Sequence, residues 1–257
     1  MYLALIYGWG GDESTWELLA WRLRNLGHNV FVPRIPGRGT INERSAVLVE
    51  QLRSWAKRNP IHLIGHSMGG LNARDIAAST ATNGLYILSV TTLGTPHYGS
   101  HKATFANLLS LGLIHHIRYI NLTLNTFIAH MASEFNAATP NNDNVLYLSW
   151  AGRYDEWVSV SSATWGHYLG SRDMTHSQLP GSDMVERTLP ILQDWTDNRD
   201  WSSYMPKIRA VQASGGGVDV IDLLQGCISV KEAVINVADN VTDTVLSFVP
   251  GSSWFWR

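Results

Sequence analysis

The 257-residue chain is 45% hydrophobic and 16% charged, enough apolar content for one large core, which excludes a disordered protein. Its formal net charge of −2 excludes a general electrostatic attraction to nucleic acid or to an anionic membrane, so such a partner would need a local basic patch, and none is expected from the sequence. One cysteine, Cys227, excludes an internal disulfide framework, and no run of about 18 apolar residues offers a spanning helix.

The amino terminus carries no basic leader and no cleavage site, so the compartment stays open, with the cytoplasm as the default expectation. Leu3 to Tyr7 reads as the first strand, ending in Gly8-Trp9-Gly10-Gly11. Ser14-Thr15-Trp16-Glu17 has the form of a capping box, and Trp16, Leu19, Ala20, Leu23 and Leu26 continue at helical spacing until Gly27 closes the helix. Val30 to Ile35 is a second strand, and Pro36-Gly37-Arg38-Gly39 a turn. Ala46, Leu48, Val49, Leu52 and Trp55 then mark a helix ended by Asn59-Pro60.

A strand from Ile61, a helix to roughly Ser79 and a strand from Tyr86 to Leu93 follow, closed by Gly94-Thr95-Pro96. From 97 to 144 the alternation stops and a weakly charged helical region intervenes, expected to be a cap inserted into the body. Val145 to Ala151 resumes the strands, Trp165 to Leu169 is the candidate last one, and Met184 to Trp195 a closing helix. Strands alternating with helices predict an α/β fold with a mainly parallel sheet covered on both faces, within a catalytic domain over 1–196. Ser214-Gly215-Gly216-Gly217 is a linker in a carboxyl-terminal extension over 197–257, whose part beyond Val220 keeps helical apolar spacing and ends in Ser253-Trp254-Phe255-Trp256-Arg257. That extension is expected on the body, with contact at a lipid surface as the rival.

Within this order Gly65-His66-Ser67-Met68-Gly69 falls between a strand and a helix. Glycines beside the serine suit a strained turn that lifts its hydroxyl clear of the sheet, so Ser67 is the candidate nucleophile. A serine hydroxyl needs a base and a group that orients the base, in the chain order serine, acid, histidine for such sheets. Asp155, just past the strand Val145 to Ala151, is the candidate acid, with Glu156 its rival; Asp143 precedes that strand and Asp75 lies in the helix after Ser67. His176, in the loop after the last strand, is the candidate base, with His167 as alternative. The oxyanion donors are expected at the backbone N–H groups of Met68 and Trp9, or Gly10 in place of Trp9. The remaining histidines read as structural: His66 in the elbow, His28 and His62 beside strands, and His97, His101, His115, His116 and His130 in the cap. No zinc site and no phosphate loop is expected, because adjacent His115 and His116 diverge on a helix and the glycines at 8–11 lack a later glycine and lysine.

Four stretches make the chain resemble bacterial lipases and esterases of the α/β-hydrolase superfamily from Leu3 to about Trp195. They are Gly65 to Gly70, Tyr7 to Gly11, Leu93 to Ser100, and Asp155-Glu156-Trp157-Val158, with Met174-Thr175-His176 at a similar spacing beyond. The resemblance implies an α/β-hydrolase fold, Ser67, Asp155 and His176 as the triad, and hydrolysis of carboxylic esters through an acyl-enzyme. Two departures stand out: Tyr7 replaces a histidine before the oxyanion glycine, and Ser177-Gln178-Leu179-Pro180 supplies no aspartate after the triad histidine, so neither calcium nor another cofactor is expected. The apolar cap suggests medium- to long-chain acyl esters. The rival readings are an acyltransferase or thioesterase with the same triad, and a non-catalytic lipid-binding module.

Overall fold

The computed structural model describes residues 1–100, 132–199 and 201–214, so most of the expected cap and the tail beyond Ser214 lie outside the described residues. The described strands are β1 (Tyr2–Ile6), β2 (Asn29–Phe31), β3 (Ile61–His66), β4 (Ile87–Leu93), β5 (Leu146–Gly152) and β6 (His167–Arg172). They form one parallel sheet in the order β2-β1-β3-β4-β5-β6. Every residue of β3, β4 and β5 is buried, as required when helices cover both faces of a parallel sheet. The chain leaves β1 toward β2 and returns to place β3 on the other side. A crevice therefore opens at the carboxyl ends of β1 and β3, the place where open α/β sheets bind ligands.

The helices α1 (Glu17–Asn25), α2 (Ile41–Ala56), α3 (Met68–Ala78), α4 (Met184–Asn198) and α5 (Trp201–Ser214) supply the cover. α1 buries Leu19, Ala20 and Leu23 as its spacing predicts, but Leu26 is exposed. The capping box expected at Ser14 does not form, because Asp12 captures the Ser14 N–H at 2.9 Å and opens a 3-10 turn, Glu13–Trp16, instead. A capping box forms at α2: Thr40 Oγ1 accepts from Glu43 N at 3.2 Å and Glu43 Oε2 from Thr40 N at 2.8 Å.

Three further expectations shift. β2 stops at Phe31, and Ile35 joins no strand: its N–H and carbonyl both bond the Tyr7 hydroxyl. The last strand starts at His167 because the Trp165 side chain is held elsewhere, over the Arg74 guanidinium 3.6 Å from its ring centre and stacked on His97. The boundary at 196 falls inside α4, and α5 packs onto the body through buried Ile208, a Lys207–Asp194 ion pair at 2.6 Å and Gln212 Nε2 donating to the Tyr168 carbonyl at 2.7 Å.

His97 also belongs to the body and not to a cap. It is buried, its Nε2 lies 3.1 Å from Thr92 Oγ1, and its Nδ1 accepts from Arg74 Nη1 at 3.2 Å. Arg74 further donates to Asn136 Oδ1 at 2.8 Å and the Thr139 carbonyl at 3.3 Å, and Asn136 Nδ2 donates to the His97 carbonyl at 2.9 Å. Both ends of the chain between 98 and 135 are thus tied to one side chain of α3.

Buried histidines make the fold acid-sensitive. Burial pushes His62 and His66 down to about 3, and His97 well below its ordinary value, so all three stay neutral in the folded protein. The unfolded chain takes up their protons below about pH 6.5, whereas the fold resists until far lower pH, so their stabilising contribution is intact above pH 6.5 and lost as pH falls toward 3. At pH 4.5 His62 and His66 should each contribute roughly 2 kcal/mol less than at pH 7, with His97 acting in the same direction, and the urea midpoint should fall accordingly. Equal midpoints at the two pH values would contradict this.

Candidate active site

The turn from β3 into α3 is tightly constrained. Ser67 holds φ 54 and ψ −132, a conformation that costs a non-glycine residue on the order of 1–3 kcal/mol unless its surroundings enforce it. The enforcement is visible. Ser67 N donates to the Leu93 carbonyl at 3.0 Å, and Thr95 Oγ1 donates to the Ser67 carbonyl at 2.9 Å. Glycines make the turn sterically feasible: a Cβ on Gly65 would stand 2.5 Å from Gly70 Cα, and one on Gly8 2.6 Å from Ser67 Cβ. On Gly69 it would collide with the Ile6 carbonyl of β1.

Asp155 follows β5 and its side chain is fully buried. Its Oδ1 accepts from the N–H groups of Trp157 and Val158, each at 2.8 Å, and its Oδ2 accepts from His176 Nδ1 at 2.7 Å. An ionised carboxylate can only accept, so the histidine proton sits on Nδ1 and Nε2 keeps its lone pair, the tautomer a general base requires. His176 begins a 3-10 turn, His176–Gly181, capped reciprocally by Thr175 and Gln178.

Two side chains hold the His176 backbone. Glu156 Oε2 accepts its N–H at 3.2 Å, and His66 Nε2 donates to its carbonyl at 3.0 Å while the two imidazole rings lie 4.5 Å apart. Glu156, the rival acid, therefore anchors the base through its backbone, and His66 does more than fill the elbow: it ties Ser67's neighbour to the base loop. His66 stays neutral, since burial first and the neighbouring His176 ring second disfavour its proton.

His167 begins β6 and thus lies at the opposite edge of the sheet from Ser67. Asp143 also precedes its strand, and Asp75 lies within α3.

The oxyanion side is assembled from β1 and α3. Met68 is the first residue of α3, so its N–H has no acceptor within the helix and sits at the positive end of the helix dipole. Of the two backbone N–H groups considered after β1, that of Gly10 is committed to the Gly37 carbonyl at 2.6 Å. Arg44, fully buried in α2, supports this loop from below. Its guanidinium donates to the carbonyls of Tyr7 at 2.5 Å, Pro36 at 2.6 Å and Gly37 at 3.3 Å, and to Asn72 Oδ1 at 3.0 Å. Tyr7, standing where a histidine was expected from the resemblance, secures the same loop by its two bonds to Ile35. Sequence reasoning missed Arg44, His66 and Glu156 in these roles. No local pattern marks Arg44, because its partners are three backbone carbonyls and the Asn72 side chain, up to 37 residues away.

Among the described residues no group of three or more His, Cys, Asp or Glu side chains could hold a metal ion, and no helix is long and apolar enough to cross a membrane.

Comparison with known proteins places the chain among lipase-like sequences and folds. The chain is 30% identical over 214 residues to triacylglycerol lipase 2 of Saccharomyces cerevisiae, covering 68% of this chain and 63% of that protein. It is 32% identical over 116 residues to a triacylglycerol lipase of Pseudarthrobacter phenanthrenivorans, covering 39% of this chain and 34% of that one. The chain thus spans less than two thirds of these relatives, and they are not confined to bacteria. The crystal structure of the mature form of a Bacillus licheniformis lipase superposes with a TM-score of 0.57 at 18% identity, over 74% of this chain and 91% of that one, which shows the shared α/β-hydrolase fold. The family model described as lecithin:cholesterol acyltransferase matches residues 43–216, most of the chain from α2 onward, and it is to this family that the chain belongs.

Proposed function

We propose that the protein is a serine ester hydrolase that cleaves lipid-like acyl esters through an acyl-enzyme on Ser67. The observation that carries this reading is the Asp155–His176 hydrogen bond at the same sheet edge as the strained Ser67 turn. In this mechanism His176 Nε2 takes the Ser67 proton as Oγ attacks the ester carbonyl, and the backbone N–H groups of Met68 and Trp9 receive the developing oxyanion. His176 then protonates the departing alcohol, and water, deprotonated by the same imidazole, releases the acid.

The named lipases among the relatives support a lipid ester as substrate, and so does the surface around the site. Trp9, Tyr98, Tyr154 and Trp157 are exposed on loops after β1, β4 and β5, and their amphipathic rings suit an acyl chain or a lipid interface. The family name favours a second reading, in which an alcohol intercepts the acyl-enzyme in place of water.

A p-nitrophenyl ester series from acetate to palmitate, run with and without a fatty alcohol, tests both. Turnover should peak at medium or long chains; a peak at acetate would remove the lipid assignment, and ester product formed at the expense of free acid would favour transfer.

A further inference from the structure

A second site lies at the sheet edge opposite Ser67. An open cleft of about 430 Å³ is lined by Arg53, Lys57 and Arg58 at the end of α2, and by Tyr86 just before β4. Arg199, at the end of α4, donates from Nη2 to the Tyr86 hydroxyl at 2.8 Å and lies 5.2 Å over the Tyr86 ring. Among the described residues Glu50 is the carboxylate paired with this group, meeting Arg53 at 2.9 Å, and Lys57 and Arg58 make no ion pair there.

The backbone beneath these cations is unusual. Among the described residues the non-glycine positions with positive φ are Lys57 at 48, Arg58 at 72, Ser67 at 54 and Arg199 at 51. One is the candidate nucleophile, and the other three are among the four cations around Tyr86, Arg53 being the exception. α1 shows the ordinary way to end a helix, with Gly27 at φ 84. α2 and α4 instead end on Lys57 and Arg199, where a side chain costs roughly 1 kcal/mol or more that glycine avoids. Attraction between a cation and the helix dipole does not account for this placement, since a residue in the last helical turn, such as Arg53, collects that benefit without strain.

We infer that Lys57, Arg58, Arg53 and Tyr86 form a binding site for a phosphate-class dianion, separate from the esterase site. The Arg58 guanidinium, the Lys57 ammonium, the Tyr86 phenol and the Nη2 of Arg53, whose Nε and Nη1 are held by Asn83 and Glu50, offer donors from several directions, which match a tetrahedral doubly charged oxyanion better than a single planar carboxylate. The same chemistry is presented by free phosphate or a phosphomonoester and by a phosphomonoester lipid headgroup.

Thermal unfolding of the full chain tests the site, with inorganic phosphate titrated against sodium chloride at constant ionic strength. Wild type should show a saturable rise in midpoint, corresponding to about an elevenfold shift of the folding equilibrium at ten times the dissociation constant. The Lys57→Gly, Arg58→Gly double variant should show none. Glycine fits both positive φ values, so this variant should fold, with a midpoint at or above that of wild type in the absence of phosphate. An equal rise in both proteins, or none in wild type, overturns the site. Sedimentation with phosphatidylcholine vesicles, with and without phosphatidic acid, separates the sources. Retention that requires phosphatidic acid and both cations assigns the headgroup, and a phosphate-dependent midpoint without such retention assigns a soluble ligand.

Discussion

Replacing Ser67 with alanine should lower ester turnover by about 10⁶-fold, leaving the residual rate that binding and the oxyanion donors alone sustain. The fold should survive, because the bonds that hold the turn run through the Ser67 backbone to Leu93 and Thr95, and none of them uses the hydroxyl. A glycine variant sharpens the test. Ser67→Gly removes the penalty of a side chain at φ 54, so it should be as inactive as the alanine variant and more stable than wild type by on the order of 1 kcal/mol. Urea midpoints and p-nitrophenyl ester rates measured on both variants check the two halves together. Substantial turnover in either variant would remove Ser67 from the mechanism, and a glycine variant less stable than alanine would remove the strain argument.

Asp155→Asn should cost about 10⁴-fold in kcat while leaving binding and fold nearly unchanged. The hydrogen bonds dictate how the new amide orients. Two backbone N–H groups, from Trp157 and Val158, point at Oδ1, so the amide oxygen must take that place and the amide nitrogen must take the place of Oδ2. An N–H then faces His176 Nδ1, which can only accept it, and the imidazole proton moves to Nε2, where the lone pair for Ser67 should be. The lesion is a wrong tautomer, not a lost contact. Glu156→Gln is the comparison, since its oxygen can still accept the His176 N–H and the loss should stay within about tenfold. Rates for the two variants that came out in the reverse order would exchange the assignments of the two acids.

The elbow was legible in the sequence because its cause is local. Glycines at 65, 69 and 70 crowd against β1, Thr95 and each other, and this crowding leaves a short motif. Asp155 and His176 were legible for a different reason: in a parallel sheet every strand end that can hold a partner lies on one edge, so chain order alone removes Asp143 and demotes His167. What the sequence hid were side chains whose partners are distant backbone atoms. Arg44 looks like an ordinary charged residue of an amphipathic helix, yet it is buried under the oxyanion loop. His97 reads as the start of an insertion, because spacing cannot show that Thr92, Arg74 and Trp165 enclose it. The same capture of Trp165 moved the start of the last strand, against the apolar run that seemed to include it.

The fastening of His97, Asn136 and Thr139 to Arg74 bears on how such an enzyme diversifies. With both feet of the intervening segment bolted to the helix behind the nucleophile, the entropy of closing that excursion varies only logarithmically with its length, about 0.6 kcal/mol per doubling. The segment can be lengthened, shortened or exchanged between relatives as a cassette without asking the sheet to refold. Scaffold stability thereby becomes nearly independent of the length of that excursion, and the points at which to exchange it are the residues on either side of the arginine clasp.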